Sequence, residues 1–285
     1  MVTARYDDGV GMQTQYILRD YYDNEHDCIT PQEIRAFLLE ARPYTPMWMI
    51  IVLALTTGMR CNELLRLSMT MFENDLREFR YRVSKPSRQR EDGRLIITTR
   101  HRRVVLEPWV VYHLRRYCDL NFTRIEERGT VRYWTPYRDH HPDVHGEIYA
   151  QKLFPWTDTT SFEAVFAKVR KRVGGKGFNV RRVESMSRSE GTQRVTLVCR
   201  FHKFRHFALS YHYHTHAQDL KTAQMWIKHR KSSTTDGYVH SLPQMGMTVS
   251  DLQVPLYALL GLWPDGKVDD ALLCVVQRGI HDYYT

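Results

Sequence analysis

The stretch His202-Lys203-Phe204-Arg205-His206 decides how the rest of the chain is read. Tyr238 follows Arg205 by 33 residues, and His229 lies between them in Ile227-Lys228-His229-Arg230-Lys231-Ser232-Ser233-Thr234-Thr235-Asp236-Gly237-Tyr238-Val239-His240. Far upstream, Thr56-Thr57-Gly58-Met59-Arg60-Cys61-Asn62-Glu63-Leu64-Leu65 supplies a second arginine. Cutting a phosphodiester without a metal needs a nucleophile, cations on the non-bridging oxygens and a proton for the leaving oxygen. Arginine suits the second task, because its planar fork binds two phosphate oxygens and stays charged. Tyrosine suits the first, since an aryl phosphate keeps the bond energy available for rejoining. Lysine or histidine suits the third. Two arginines and two histidines around a tyrosine therefore predict metal-free phosphoryl transfer with tyrosine as the nucleophile.

Working outward, charge predicts a polyanionic partner. The 285-residue chain carries a net +9. Arg77 to Arg103 holds ten Lys/Arg against three Asp/Glu, and Glu163 to Arg205 holds twelve against three. Asp251 to Thr285 reverses the sign, with two against five. A basic face with an acidic tail kept off it fits this distribution, although a solvated basic surface is the blander alternative. The longest apolar run, Met47 to Leu55, is nine residues, against the ~20 a spanning helix needs. The N-terminus has no apolar signal-peptide core, which predicts an intracellular protein. The five scattered cysteines contain no Cys-x-x-Cys, so reduced thiols are the default.

Residues 1–28 are polar and aromatic without a clear period and are expected to be an arm or linker remnant. Thr30-Pro31-Gln32-Glu33 opens a helix with a threonine cap, a proline at the first position and a glutamate at the third. A buried helix is predicted over about Trp48 to Thr56, interrupted by Gly58, with a helix carrying Glu63 resuming after it. Phe79 to Ser84, Leu95 to Thr99 and Arg103 to Glu107 alternate like strands of one small basic sheet. Helices are expected over Trp109 to Asn121 and Ser161 to Val173, with residues 123–152 an irregular excursion between them. Val180 to Arg200 reads as a basic hairpin, and helices resume from His202. Val268 to Arg278 is a well-signalled amphipathic helix, with aspartates in its first turn and Gly279 after its end.

These residues resemble the catalytic domain of the tyrosine recombinases, or integrases, a family related to the type IB topoisomerases. Thr57-Gly58-Met59-Arg60-Cys61-Asn62-Glu63-Leu64 is similar to the family's Thr-Gly-x-Arg-x-x-Glu-Leu box. His202 to His206 is similar to its His-x-x-Arg-His box, and His229 to His240 to its closing histidine–tyrosine box. The likeness covers roughly residues 29 to 242, and a short Leu153-Phe154-Pro155 also fits the family layout. It implies an α+β, mostly helical fold with a small antiparallel sheet, a catalytic domain over 29–245 and a C-terminal tail over 246–285. It implies a site-specific recombinase that forms a 3′-phosphotyrosyl bond through Tyr238. Arg60 and Arg205 would clamp the scissile phosphate, His202 would assist proton transfer, and His229 would donate to a non-bridging oxygen. Glu63 would orient Arg60 or its neighbours. Lys85 resembles the hairpin lysine that protonates the leaving oxygen, with Arg88, Arg90 or a neighbouring lysine as rivals. Arg88, Arg90, Arg100, Arg102 and Lys203 are expected DNA contacts. Double-stranded DNA, a homo-oligomer (a tetramer on paired sites) and accessory DNA-bending proteins are the implied partners, with no membrane and no cofactor or metal.

The chain departs from the family pattern in three places. Lys228 stands where glycine usually precedes the histidine, 178–200 is longer than usual, and only about 29 residues precede the first catalytic-domain helix. The last point predicts either a truncated sequence or a minimal member. His206, His212, His214 and His216 leave a metal reading open, but no cysteine or acidic partner sits nearby at ligand spacing. The apolar stretch Leu252 to Trp263 is either ordinary core or part of an element docking on a neighbouring protomer. A type IB topoisomerase, a telomere resolvase and a non-catalytic DNA-binding protein on this fold are the alternative functions.

Overall fold

A computed structural model describes residues 28–83, 87–91, 94–98, 101–127, 130–137, 151–174, 200–227 and 232–263. The first helix, α1 (Pro31–Ala41), begins as its sequence dictates. Thr30 accepts from the Glu33 N–H at 3.2 Å, and Glu33 accepts from the Thr30 N–H at 2.9 Å. The second, α2 (Pro46–Thr57), is capped by Thr45 and has Pro46 in its first turn. Its side chains Met47 to Leu55 are all buried, which a helix tolerates only when neighbours surround it. It ends at Gly58, whose φ of +61° closes the helix in the left-handed region. A short α3 (Cys61–Leu64) follows at once.

The sheet is smaller and differently divided than the sequence predicts. Strands β1 (Phe72–Glu73), β2 (Glu78–Arg82) and β5 (His101–Val105) form one antiparallel sheet in the order β1-β2-β5. Strands β3 (Ser87–Glu91) and β4 (Arg94–Thr98) form a separate hairpin, so the strand expected at Leu95 belongs to that second sheet. Register explains the division. Arg82 pairs with His101 and Ser87 with Thr98, leaving four residues on one strand against two on the other. An unequal count breaks the ladder.

Helix α4 (Pro108–Asn121) leads into β6 (Thr123–Glu127) and β7 (Thr130–Trp134), an antiparallel hairpin. Part of the expected irregular excursion is therefore regular. Only one face of β7 is apolar and packed: Tyr133 is buried and donates to Asp119 at 2.9 Å, while Arg132 and Trp134 are exposed.

Helices α5 (Thr159–Gly174), α6 (His202–Thr215) and α7 (Leu220–Ile227) complete the scaffold, with the short α8 (Ser232–Asp236) and α9 (Leu256–Leu259). Helix α2 packs against α1, α4 and α6, and α1 against α5. A phenylalanine cluster locks α1, α5 and α6 together. Phe37 stacks on Phe166 at 5.4 Å between centroids, Phe162 meets Phe201 edge-on at 4.8 Å, and Phe204 touches both Phe37 and Phe201 at 5.4 Å. The stretch Leu252 to Trp263 packs into this same core, where Val254, Leu259, Leu260 and Leu262 are buried. Its carbonyls are held by Arg35 on Leu259 and by Tyr211, whose hydroxyl donates to Val254 at 3.2 Å. The helix expected over Val268 to Arg278 lies outside the described residues, as does all but Arg200 of the hairpin expected over Val180 to Arg200.

Candidate active site

The site is assembled where the first arginine box meets α6. Gly58 has no room for a side chain: a Cβ there would lie 2.8 Å from the Trp226 ring. Its carbonyl accepts a hydrogen bond from the Arg205 guanidinium. The glycine of one box is thus the point to which the arginine of the other is tied. Arg60 sits at the N-terminus of α3, half-turned toward solvent, and is held by Glu63. The Glu63 carboxylate accepts from the Arg60 backbone N–H at 2.9 Å and from its guanidinium at 3.3 Å. Glu63 itself is buried, so its charge is tolerable only with such partners.

Arg205 is 2% exposed. Burial, then the neighbouring Arg60 charge, pushes its pKa down to about 10, with Glu63, Tyr238 and Tyr81 opposing the shift. It remains charged at neutral pH. Arg60 and Arg205 are thus close enough to couple, and an anion placed between two like charges would relieve their repulsion.

Tyr238 lies in the turn after α8 and approaches α6. Its hydroxyl is 2.8 Å from His202 Nε2, with the two rings nearly perpendicular. The His206 ring stacks on the tyrosine at 4.1 Å and 17°. His206 Nδ1 is 3.1 Å from His240 Nε2, so one nitrogen donates and the other accepts. Burial, then the charges of His202, His240, Lys203 and Arg205, push the His206 pKa down to about 2, so its imidazole is neutral.

The structure brings Arg60, Glu63, His202, Arg205 and Tyr238 together. Lys85, Arg100 and His229 lie outside the described residues. Arg88 and Arg90 lie on β3, in register with Ile97 and Leu95 of β4. Lys203 is partly exposed on α6. Arg102, also an expected DNA contact, is buried. It is 7% exposed, donates to the Tyr81 hydroxyl at 3.3 Å and lies 5.7 Å over the Trp226 ring. Alternation along β5 turns it inward, between the sheet and α7.

Sequence reasoning missed Ser210 and His214 as parts of this site, along with the tryptophan that fills the space at Gly58. The signal was present: His202, His206, Ser210 and His214 recur every four residues, which places them on one helical face. Of the four histidines that left a metal reading open, His212 and His216 stack at 3.9 Å, and His212 stacks on Trp226 at 4.4 Å. Among the described residues no group of three or more His, Cys, Asp or Glu is arranged to hold a metal ion, and no helix is long and apolar enough to cross a membrane.

Comparison with known proteins follows the same lines. The phage integrase family model matches residues 27–245. No curated protein matches the chain. Among solved structures, XerA recombinase is 16% identical with a TM-score of 0.47, the alignment covering 79% of this chain and 61% of that one. The Tn1549 transposon integrase in complex with transposon right end DNA is 14% identical with a TM-score of 0.45, covering 80% and 64%. XerH site-specific recombinase bound to palindromic difH substrate is 16% identical with a TM-score of 0.40, covering 74% and 48%. The chain thus spans less than two thirds of the length of each of these proteins.

Proposed function

The chain belongs to the phage integrase family, and on that premise we propose that it is a site-specific DNA recombinase working through a 3′-phosphotyrosyl intermediate on Tyr238. The observation that carries this is the Tyr238 hydroxyl at 2.8 Å from His202 Nε2, beside an Arg205 tied to the turn that presents Arg60. The imidazole accepts the phenolic proton as the oxygen attacks phosphorus. Arg60 and Arg205 hold the non-bridging oxygens, whose charge grows in the transition state. His229 adds a further donor, and Lys85 protonates the departing 5′-oxygen. The phosphotyrosine stores the broken bond, so resealing on a second strand needs no nucleotide or metal.

Duplex DNA is the substrate, held mainly by phosphate contacts from Arg88, Arg90, Arg100 and Lys203. Exchange between two duplexes calls for protomers on paired sites, which makes a tetramer on DNA the working assembly, with accessory DNA-bending proteins as further partners. A duplex nicked beside the cleavage position lets the short product diffuse away and traps the intermediate. Wild-type protein is expected to form a covalent adduct on such a substrate and Tyr238→Phe protein none; an adduct on Tyr238→Phe overturns the assignment. Relaxation of a supercoiled plasmid lacking any specific site would move the same chemistry to a topoisomerase.

A further inference from the structure

Four side chains at a spacing of four along α6 all reach the segment Tyr238 to His240. His202 Nε2 meets the Tyr238 hydroxyl at 2.8 Å. His206 stacks beneath the tyrosine ring and pairs with the His240 ring at 3.1 Å. Ser210, fully buried, accepts from the His240 backbone N–H at 2.9 Å and lies 3.1 Å from the Tyr238 carbonyl. His214 Nε2 donates to the His240 carbonyl at 2.8 Å. Ring, hydroxyl and backbone of the Tyr238 segment thus all meet one helix, the one that also carries Arg205.

Both flanks of the segment are anchored on the same molecule. Before it, Ile227 is buried with Leu209 and Ala223, and Tyr238 and Val239 pack on that cluster. After it, Met245 is fully buried in the main core, and Gly246 passes so close to Thr30 that a Cβ would lie 2.9 Å from its methyl. Met245 follows Tyr238 by seven positions, so with Met245 in place the tyrosine can stray at most about 25 Å from it.

Building on the recombinase reading, we infer that His206, Ser210 and His214 are positioning residues that lock the Tyr238 segment onto α6 and so hold its hydroxyl at His202. The lock is polar and runs largely through imidazole nitrogens. His214 must carry a proton on Nε2 to donate to a carbonyl, and the His206–His240 pair must share one proton between the facing nitrogens. If both faced each other protonated, the contact would become two donors in opposition.

Two measurements test this. In the DNA-free protein, the His240 amide should be protected from hydrogen exchange. Ser210→Ala should weaken that protection by at least about 10-fold with α2 amides unchanged, and Ser210→Thr should restore it. A wild-type His240 amide exchanging at the rate of an unstructured peptide overturns the lock. On nicked duplex DNA, His206→Phe keeps the stack but loses the pairing nitrogen; its adduct should form about 10–100-fold more slowly at unchanged DNA affinity. An equal loss of DNA affinity, or an unchanged rate, removes His206 as a positioning residue. If wild-type protein forms no adduct in any of these assays while His240 stays protected, the recombinase reading fails and the lock stands.

Discussion

The turn that presents Arg60 and the segment that presents Tyr238 are held in opposite ways. The first grows from α2, a helix buried on every side, and is followed by Leu64, Leu65 and Leu67, all 2% exposed or less. The second rests on three buried side chains, Leu209, Ala223 and Ile227, and on hydrogen bonds and a ring stack to α6. Apolar burial is non-directional and cooperative with the whole fold, whereas a small satellite cluster can open alone. The arginines are therefore part of the global core, and the tyrosine belongs to a unit that can loosen without unfolding the rest. That division would suit the proposed recombinase, whose phosphate site must stay fixed while its nucleophile attaches to and leaves DNA.

The largest way to break the comparison is to cut both cores alike. Ile50→Ala in α2 should cost about 4 kcal/mol and lower the Tm by about 10 °C. Ile227→Ala removes a similar side chain, but calorimetry should show a smaller drop while exchange of the Tyr238 to His240 amides rises sharply. Equal global losses from the two would erase the distinction.

Gly58→Ala comes next. The new Cβ meets Trp226 at 2.8 Å, and φ of +61° strains any L-residue. The sum should be about 3 kcal/mol in a denaturant titration. Because Trp226 also belongs to the satellite cluster, the same variant should loosen the tyrosine segment; a stability loss with its amides still protected would show that the two regions are not joined there.

The smallest effect is on acid stability. Folded His206 is pushed down to about 2 and His212 to about 4, from 6.5 when unfolded, in each case mainly by burial. Above 6.5 both states are neutral and nothing is lost. As pH falls below it, the unfolded chain takes up protons that the folded chain refuses, so stability declines toward those folded values. Both groups lie on α6, so acid should open the tyrosine side early. His206→Phe should flatten the fall in denaturant midpoint between pH 7 and 5; an unchanged slope would mean that His206 is not held neutral by the fold.

The sequence by itself determined the chemistry-bearing boxes and the local starts and stops. A phosphate clamp needs arginine and a phosphotyrosine needs tyrosine, and those demands leave residue types at fixed spacings. Thr30, Glu33 and Gly58 act on neighbours within four residues, so the cap and the stop were legible too. Other features depend on which distant segments meet. The strand at Leu95 left the main sheet because pairing register is set between strands, not within one. Arg102 turned inward because Tyr81 and Trp226, far from it in the chain, leave its guanidinium a place between them. The apolar stretch at Leu252 to Trp263 announced burial but not its partner, since hydrophobicity carries no address; packing assigned it to the chain's own core. The four-residue spacing of His202, His206, Ser210 and His214 could be counted from the sequence, but only the fold decided that the nucleophile's own backbone would lie along it.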